Sequence, residues 1–222
     1  MVKAVVFDLD GLLVDSEPVW FKARKSFMQR FGLTWIDEDH KKQMGVSTNS
    51  WANYTYEMIN GKLSHQEIID GILNIMTSYY ENGQMQILPG AEEALEYCSN
   101  NFIVGLASGS PMRLINAALN GNKWAKYFVE VVSSDEVEHG KPAPDVYMEI
   151  FERLSVLPEE CVVIEDSGGG IKAGSSAGAK VIAIPNKEML PDQEILSYAD
   201  IILDSLYQIP EAIDKIKFFR ET

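Results

Sequence analysis

The sequence predicts an α/β fold in which helices cover both faces of a parallel sheet and a helical segment is inserted near its start. Three observations carry that expectation. Six short β-type runs punctuate the chain, at residues 3–7, 102–107, 128–133, 161–164, 180–184 and 200–203. From the second run onward, a helix-like stretch or a loop separates each from the next. Continuous apolar strands alternating with helices indicate a parallel sheet buried on both sides. Between the first run and the second the spacing breaks, and the long interval reads as helix alone.

The elements follow in order. The run KAVVF, residues 3–7, is the first strand. Residues 17–31, 50–60 and 64–82 read as helices, and in the last of them Ile68, Ile69, Ile72, Ile75, Met76 and Tyr79 form one helical stripe. The expected division is an α/β core of residues 1–15 and 85–222, with a helical cap of residues 16–84. An insertion beside a strand's carboxyl end sits over the usual ligand crevice of an open α/β sheet and can act as a lid. Pro89-Gly90 leads into the helix AEEALEYC. After the second strand, Ser110 reads as an N-cap with Pro111 at the first helical position. A further helix is expected from near Asp145, and another after the glycine run that begins at Gly168. There is no internal repeat and no low-complexity tract.

Composition narrows the class. At 222 residues and 46% apolar content, the chain has material for one α/β domain with a smaller insertion. Its formal charge of −14 argues against nucleic acid or an anionic membrane surface as the main partner. A small anionic substrate remains compatible, because a metal or lysine dominates the local field of a cleft. Lys3 is the only charged side chain before the apolar run 4–7, which is too short for a signal-peptide core or a membrane span. Cys98 and Cys161 lack metal-ligand spacing and read as reduced, buried thiols, so the cytoplasm is the expected compartment.

The chemistry gathers where the strands end. The first runs into VVFDLDG, and residues two apart in extended chain point the same way, so Asp8 and Asp10 share a side. A polar strand end closed by an Asp-Gly turn would look alike, but other strands repeat the pattern. The second ends in LASGS, where the Ser108 hydroxyl and neighbouring amides, Gly109 among them, suit an anion seat. Lys141 lies in HGKPAPD, where Pro142 and Pro144 restrict its backbone. The fourth ends in VVIEDSGGG, adding Glu165 and Asp166. Up to four carboxylates on one sheet edge suit Mg²⁺, and no Cys/His cluster suits zinc. His40, His65 and His139 read as surface or cap residues. Trp20, Trp35, Trp51 and Trp124 read mainly as packing, with Trp20 a candidate for the cleft.

Taken together, DLDGLLVDSE, LASGS, GKPAPD and EDSGGGI resemble the four motifs of the haloacid dehalogenase superfamily, in order. More narrowly they resemble its β-phosphoglucomutase-like members with a helical cap, across about residues 3–205. That resemblance implies a Rossmann-like core, Mg²⁺ as cofactor and a phosphatase acting on a sugar phosphate or nucleoside monophosphate. It implies Asp8 as nucleophile and Asp10 as general acid/base, with the Asp10 backbone carbonyl on the metal. Ser108, Gly109 and Lys141 fall where the family holds phosphate, and Asp166, with Glu165 beside it, at the metal motif. Substrate contacts are expected from Glu17, Trp20, Phe21 and the cap loop 44–49, and the active species is expected to be a monomer.

Three other readings compete. A dehalogenase needs no acid for a halide, and its resembling members differ at Asp10. A phosphomutase would carry histidine, arginine and lysine where this chain has Trp20, Thr48 and a lysine-free last cap helix. Without them no evident group holds a second phosphate. A non-catalytic binding protein on the same fold is the remote alternative, and the intact motifs oppose it.

Overall fold

The computed structural model describes residues 1–43, 48–186 and 190–218. In chain order its elements are β1 (Ala4–Phe7), β2 (Val14–Asp15), α1 (Glu17–Gln29), α2 (Asp37–Lys42), α3 (Thr48–Met58) and α4 (His65–Glu81). There follow β3 (Gln86–Ile87), α5 (Ala91–Asn101), β4 (Ile103–Ser108), α6 (Met112–Gly121), β5 (Glu130–Ser133) and α7 (Asp145–Arg153). The chain continues through β6 (Cys161–Glu165), α8 (Gly168–Ser176), β7 (Lys180–Ala183), α9 (Gln193–Leu196), β8 (Ile201–Ile202) and α10 (Ile209–Phe218). The chain divides into two compact units, Met1–Asp15 with Gln86–Thr222, and Ser16–Met85. No helix among the described residues is long and apolar enough to cross a membrane.

The first unit holds a six-stranded parallel sheet in the order β5-β4-β1-β6-β7-β8. All four residues of β1 are fully buried, as a central strand covered on both faces must be. On one face, Ala4 and Val6 pack with Val146, Ile150 and Phe151 of α7 and Ile171 and Ala173 of α8. Burial of an Ile or Phe of this kind stabilises the fold by about 1.5–3 kcal/mol. Because the connection after β5 crosses to the far side of β1, the order reverses between β1 and β6. Ligands of open α/β sheets bind outside the carboxyl ends of strands at such a switch point. Phe7 pairs with Leu106 on one side and Ile164 on the other. The next residues, Asp8, Ala107 and Glu165, therefore emerge at one level.

The second unit packs α1, α3 and α4 around Phe27, Met28, Trp51, Ile72 and Met76. Gly71 lets α4 approach α1 closely, since a Cβ there would stand 2.4 Å from the edge of the Phe27 ring. Helix α4 starts on a Ser64–Glu67 capping box, the Glu67 Oε2 accepting from Ser64 N over 2.8 Å.

The structure amends four expectations. Ser110 is not the side-chain cap of α6: Pro111 has extended ψ of 140° and occupies the cap position, so the helix begins one residue later. Helix α2 was not anticipated, since DEDHKK carries no apolar stripe, although its acidic start and basic end suit the helix dipole. The short antiparallel pair β2–β3 was likewise not anticipated; it joins Val14 to Ile87 and Asp15 to Gln86. His40 is buried rather than on the surface.

Candidate active site

Asp8 follows β1 and is anchored by its own amide, which donates to Ile164 O over 3.1 Å. Lys141, from the Pro142–Pro144 loop before α7, reaches back to it. Its Nζ donates to Asp8 Oδ1 over 2.5 Å, to Glu165 Oε1 over 2.6 Å and to Ala107 O over 3.0 Å. All three ammonium protons are thereby committed.

Glu165 ends β6 wholly buried. Its Oε1 accepts from Lys141 and from the Tyr147 hydroxyl over 2.6 Å each, and its Oε2 accepts from Asp166 N, Ser167 N and Ser167 Oγ. Gly170 makes room for this carboxylate, because a Cβ there would lie inside it. Gly11, with φ of +89°, does the same for Asp166. Two glycines of the DG and GGG motifs thus seat two acids.

Asp8, Glu165 and Asp166 each offer a carboxylate oxygen within 4.8 Å of the others. Asp166 Oδ1 is buried and has no hydrogen-bond partner among the described residues. Fully ionised, the three carboxylates exceed the one ammonium by the charge of a single divalent cation. An orphaned buried oxygen in an all-oxygen donor set fits Mg²⁺. The charge balance shows in the acidities. Burial pushes Asp8 up to about 8 despite Lys141, with Glu165 and Asp10 adding to the rise. Burial, then Glu165 and Asp8, holds Asp166 well above the usual carboxylate range. Burial opposes the charge on Lys141, but Asp8 and Glu165 prevail and hold it well above its ordinary value. Tyr147 is held far up by burial and by Glu165, so its hydroxyl keeps its proton.

Asp10 is not one of these three grouped carboxylates. Its Oδ2 accepts from Ser110 Oγ over 2.7 Å and from Ser108 Oγ over 3.3 Å. Ser108 Oγ in turn accepts from Ser110 N, and Ser133 Oγ donates to Ser110 O over 2.7 Å. Gly109 between them is exposed, with open space where a Cβ would stand.

Asp8, Asp10, Ser108, Gly109, Lys141, Glu165 and Asp166 thus stand at one sheet edge. Residues 5–184, which include all of them, match the haloacid dehalogenase-like hydrolase family. The chain belongs to that family. Among its relatives, the phosphorylated carbohydrates phosphatase of Thermotoga maritima is 34% identical over 188 residues, covering 82% of this chain and 84% of that protein. Hexitol phosphatase B of Escherichia coli is 30% identical over 217 residues, 94% of each chain. The β-phosphoglucomutase of Clostridium difficile has the same fold, with a TM-score of 0.79 at 25% identity over 100% of this chain and 99% of that one.

Glu17 and Trp20 belong to the helical unit of this family member. Glu17 Oε2 lies 3.1 Å from His40 Nε2, and His40 Nδ1 lies 3.3 Å from Arg24 Nη1. The Arg24 guanidinium stacks 4.9 Å from the Trp20 ring centroid. Burial pulls Arg24 down to about 10, against the attraction of Glu17. Within the cap loop 44–49, residues 44–47 lie outside the described residues. Sequence reasoning missed two members of the site, Ser110 and Tyr147. The pair of serines flanking Gly109 was a signal for the first. Tyr147 shares the apolar face of α7 with Phe151, and helical periodicity does not distinguish the two.

Proposed function

We propose that this family member is a magnesium-dependent phosphomonoester hydrolase acting on a sugar phosphate or nucleoside monophosphate through an aspartyl-phosphate on Asp8. The observation that carries the reading is Lys141 bridging Asp8 and Glu165 beside the orphaned Asp166 Oδ1. The names of the relatives, phosphatases of phosphorylated carbohydrates and hexitols, support it.

In the first step an Asp8 oxygen bonds to phosphorus as the bond from phosphorus to the substrate's oxygen breaks. Asp10, aimed by Ser108 and Ser110, gives a proton to that departing oxygen. In the second step Asp10 takes a proton from water, whose oxygen bonds to phosphorus and releases Asp8 and inorganic phosphate. Lys141 neutralises charge on Asp8 and the phosphoryl oxygens, and Ser108 and Gly109 receive those oxygens. Asp8, Asp166 and the Asp10 backbone carbonyl would hold Mg²⁺, which supplies the positive charge an anionic phosphate needs to approach a carboxylate. Glu165, its oxygens already taken, serves in this scheme chiefly to anchor Lys141. Residues 16–84 are the cap domain in this proposal, with Glu17 and Trp20 as substrate contacts, and the enzyme is a cytoplasmic monomer.

A panel of sugar phosphates and nucleoside monophosphates, assayed with Mg²⁺ for released phosphate, tests the reading. Asp8→Asn is expected to slow release by roughly a thousandfold or more with the fold intact. Near-normal turnover by that variant removes the assignment. The likeness to a β-phosphoglucomutase favours a second reading, transfer of the phosphate back to the sugar. Accumulation of an isomeric sugar phosphate in place of free phosphate would select it. Free phosphate is expected, given Trp20, Thr48 and the lysine-free α4.

A further inference from the structure

Tyr147 lies outside every motif above, yet its hydroxyl is inside the site. It stands in the first turn of α7, fully buried. Its hydroxyl donates to Glu165 Oε1 over 2.6 Å, the same oxygen that accepts from Lys141 Nζ. That Nζ also lies 4.9 Å from the centroid of the Tyr147 ring. One side chain thus touches the lysine by its ring face and shares its acceptor.

We propose that Tyr147 is a positioning residue for Lys141, dividing the ammonium between Glu165 and Asp8, and that phosphoryl transfer depends on this division. The inference rests on the hydrolase reading of Asp8 and Lys141 given above. Packing alone would be served by phenylalanine, and a buried hydroxyl is costly unless bonded. Glu165 has no freedom to turn, because three donors hold its Oε2. Its Oε1 therefore faces two competing donors. A carboxylate oxygen relieved of one donor attracts the other more strongly. Without the tyrosine hydroxyl, Glu165 draws Lys141 off Asp8. The ring face opposes that drift by holding the cation from a third side.

The decisive variant is Tyr147→Phe, which keeps the ring and removes the hydroxyl. It is expected to lower kcat about tenfold, as for loss of a bond to a charged group, while KM stays within about twofold. In substrate-free protein the Lys141 ammonium ¹H–¹⁵N signal is expected to shift. An unchanged kcat or an unmoved signal overturns the proposal, and so does a loss expressed through KM, which would mark a substrate contact. Should Tyr147→Phe not fold, the Lys141 Hε protons of the wild type carry the test: they are expected to be shifted upfield by the ring, and random-coil values overturn the contact. A wild type that releases no phosphate from any ester sinks the hydrolase reading instead. The ammonium signal then still decides whether Tyr147 places Lys141.

Discussion

The Ser110 hydroxyl donates to Asp10 Oδ2 over 2.7 Å, joining the end of β4 to the turn after β1. Ser133 Oγ donates to the Ser110 carbonyl in turn, so a serine of β5 and one just after β4 together aim the proposed acid/base. Ser110→Ala is expected to lower kcat about tenfold, the cost of one bond to a charged acceptor, with little change in melting temperature. Steady-state kinetics beside a thermal melt checks both halves. A change in KM alone would place Ser110 on the substrate instead.

The acidity of Asp8 has a consequence for the metal-free protein. Its pKa rises from about 3.9 in an unfolded chain to about 8 in the fold. Between those values the folded chain holds a proton that the unfolded chain has lost, so stability falls as pH rises through the window and levels off above it. Asp166 acts in the same direction, and Lys141 remains charged throughout. Calorimetric melts in EDTA are expected to rise as pH is lowered from 8 toward 6. Titration of Mg²⁺ at pH 7 is expected to release protons, seen as a binding enthalpy that varies with buffer ionisation heat. A buffer-independent enthalpy would contradict the assignment.

The glycine run of α8 separates into positions with different tolerance. Gly170→Ala places a methyl inside the Glu165 carboxylate and is expected to unfold the site or the protein. Gly169→Ala meets its nearest atoms only at 4.0 Å. It is expected to raise stability by about 0.4–1 kcal/mol through the unfolded chain's lost freedom. Chemical denaturation of the two variants side by side distinguishes them.

The two cysteines are expected to be silent. Burial pushes the Cys98 thiol up to about 12 and, with Glu160 and Glu159 adding, Cys161 to about 12 as well. Both side chains are buried in the fold. A thiol reagent at pH 8 should therefore label neither in the native protein and both after denaturation. Rapid native labelling of either would show local opening.

The site was legible because a parallel sheet presents all its carboxyl ends on one edge. Reading Asp8, Ser108 and Glu165 each at the end of an apolar run was enough to bring them together, and β1 does pair with both β4 and β6. What the sequence did not reveal is which oxygen each donor chooses. Ser-Pro signals a helix start, yet the extended backbone at Pro111 frees the Ser110 hydroxyl for Asp10. His40 looked like a surface residue because nothing nearby in sequence pairs with it; its partners Glu17 and Arg24 stand on another helix. Strands as short as β2 and β3 carry no periodicity to read.

Those two strands bear on how this chain tolerates change. Asp15 and Gln86 face one another across the β2–β3 ladder, so the polypeptide leaves the α/β unit and returns to it at neighbouring points. A segment that departs and returns at one place adds little to the entropy of closing the loop, only about 0.6 kcal/mol for each doubling of its length. The helical unit is therefore expected to be exchangeable without unfolding the rest. Grafting between Asp15 and Gln86 a shorter or differently folded piece from another source should leave the parallel sheet assembled.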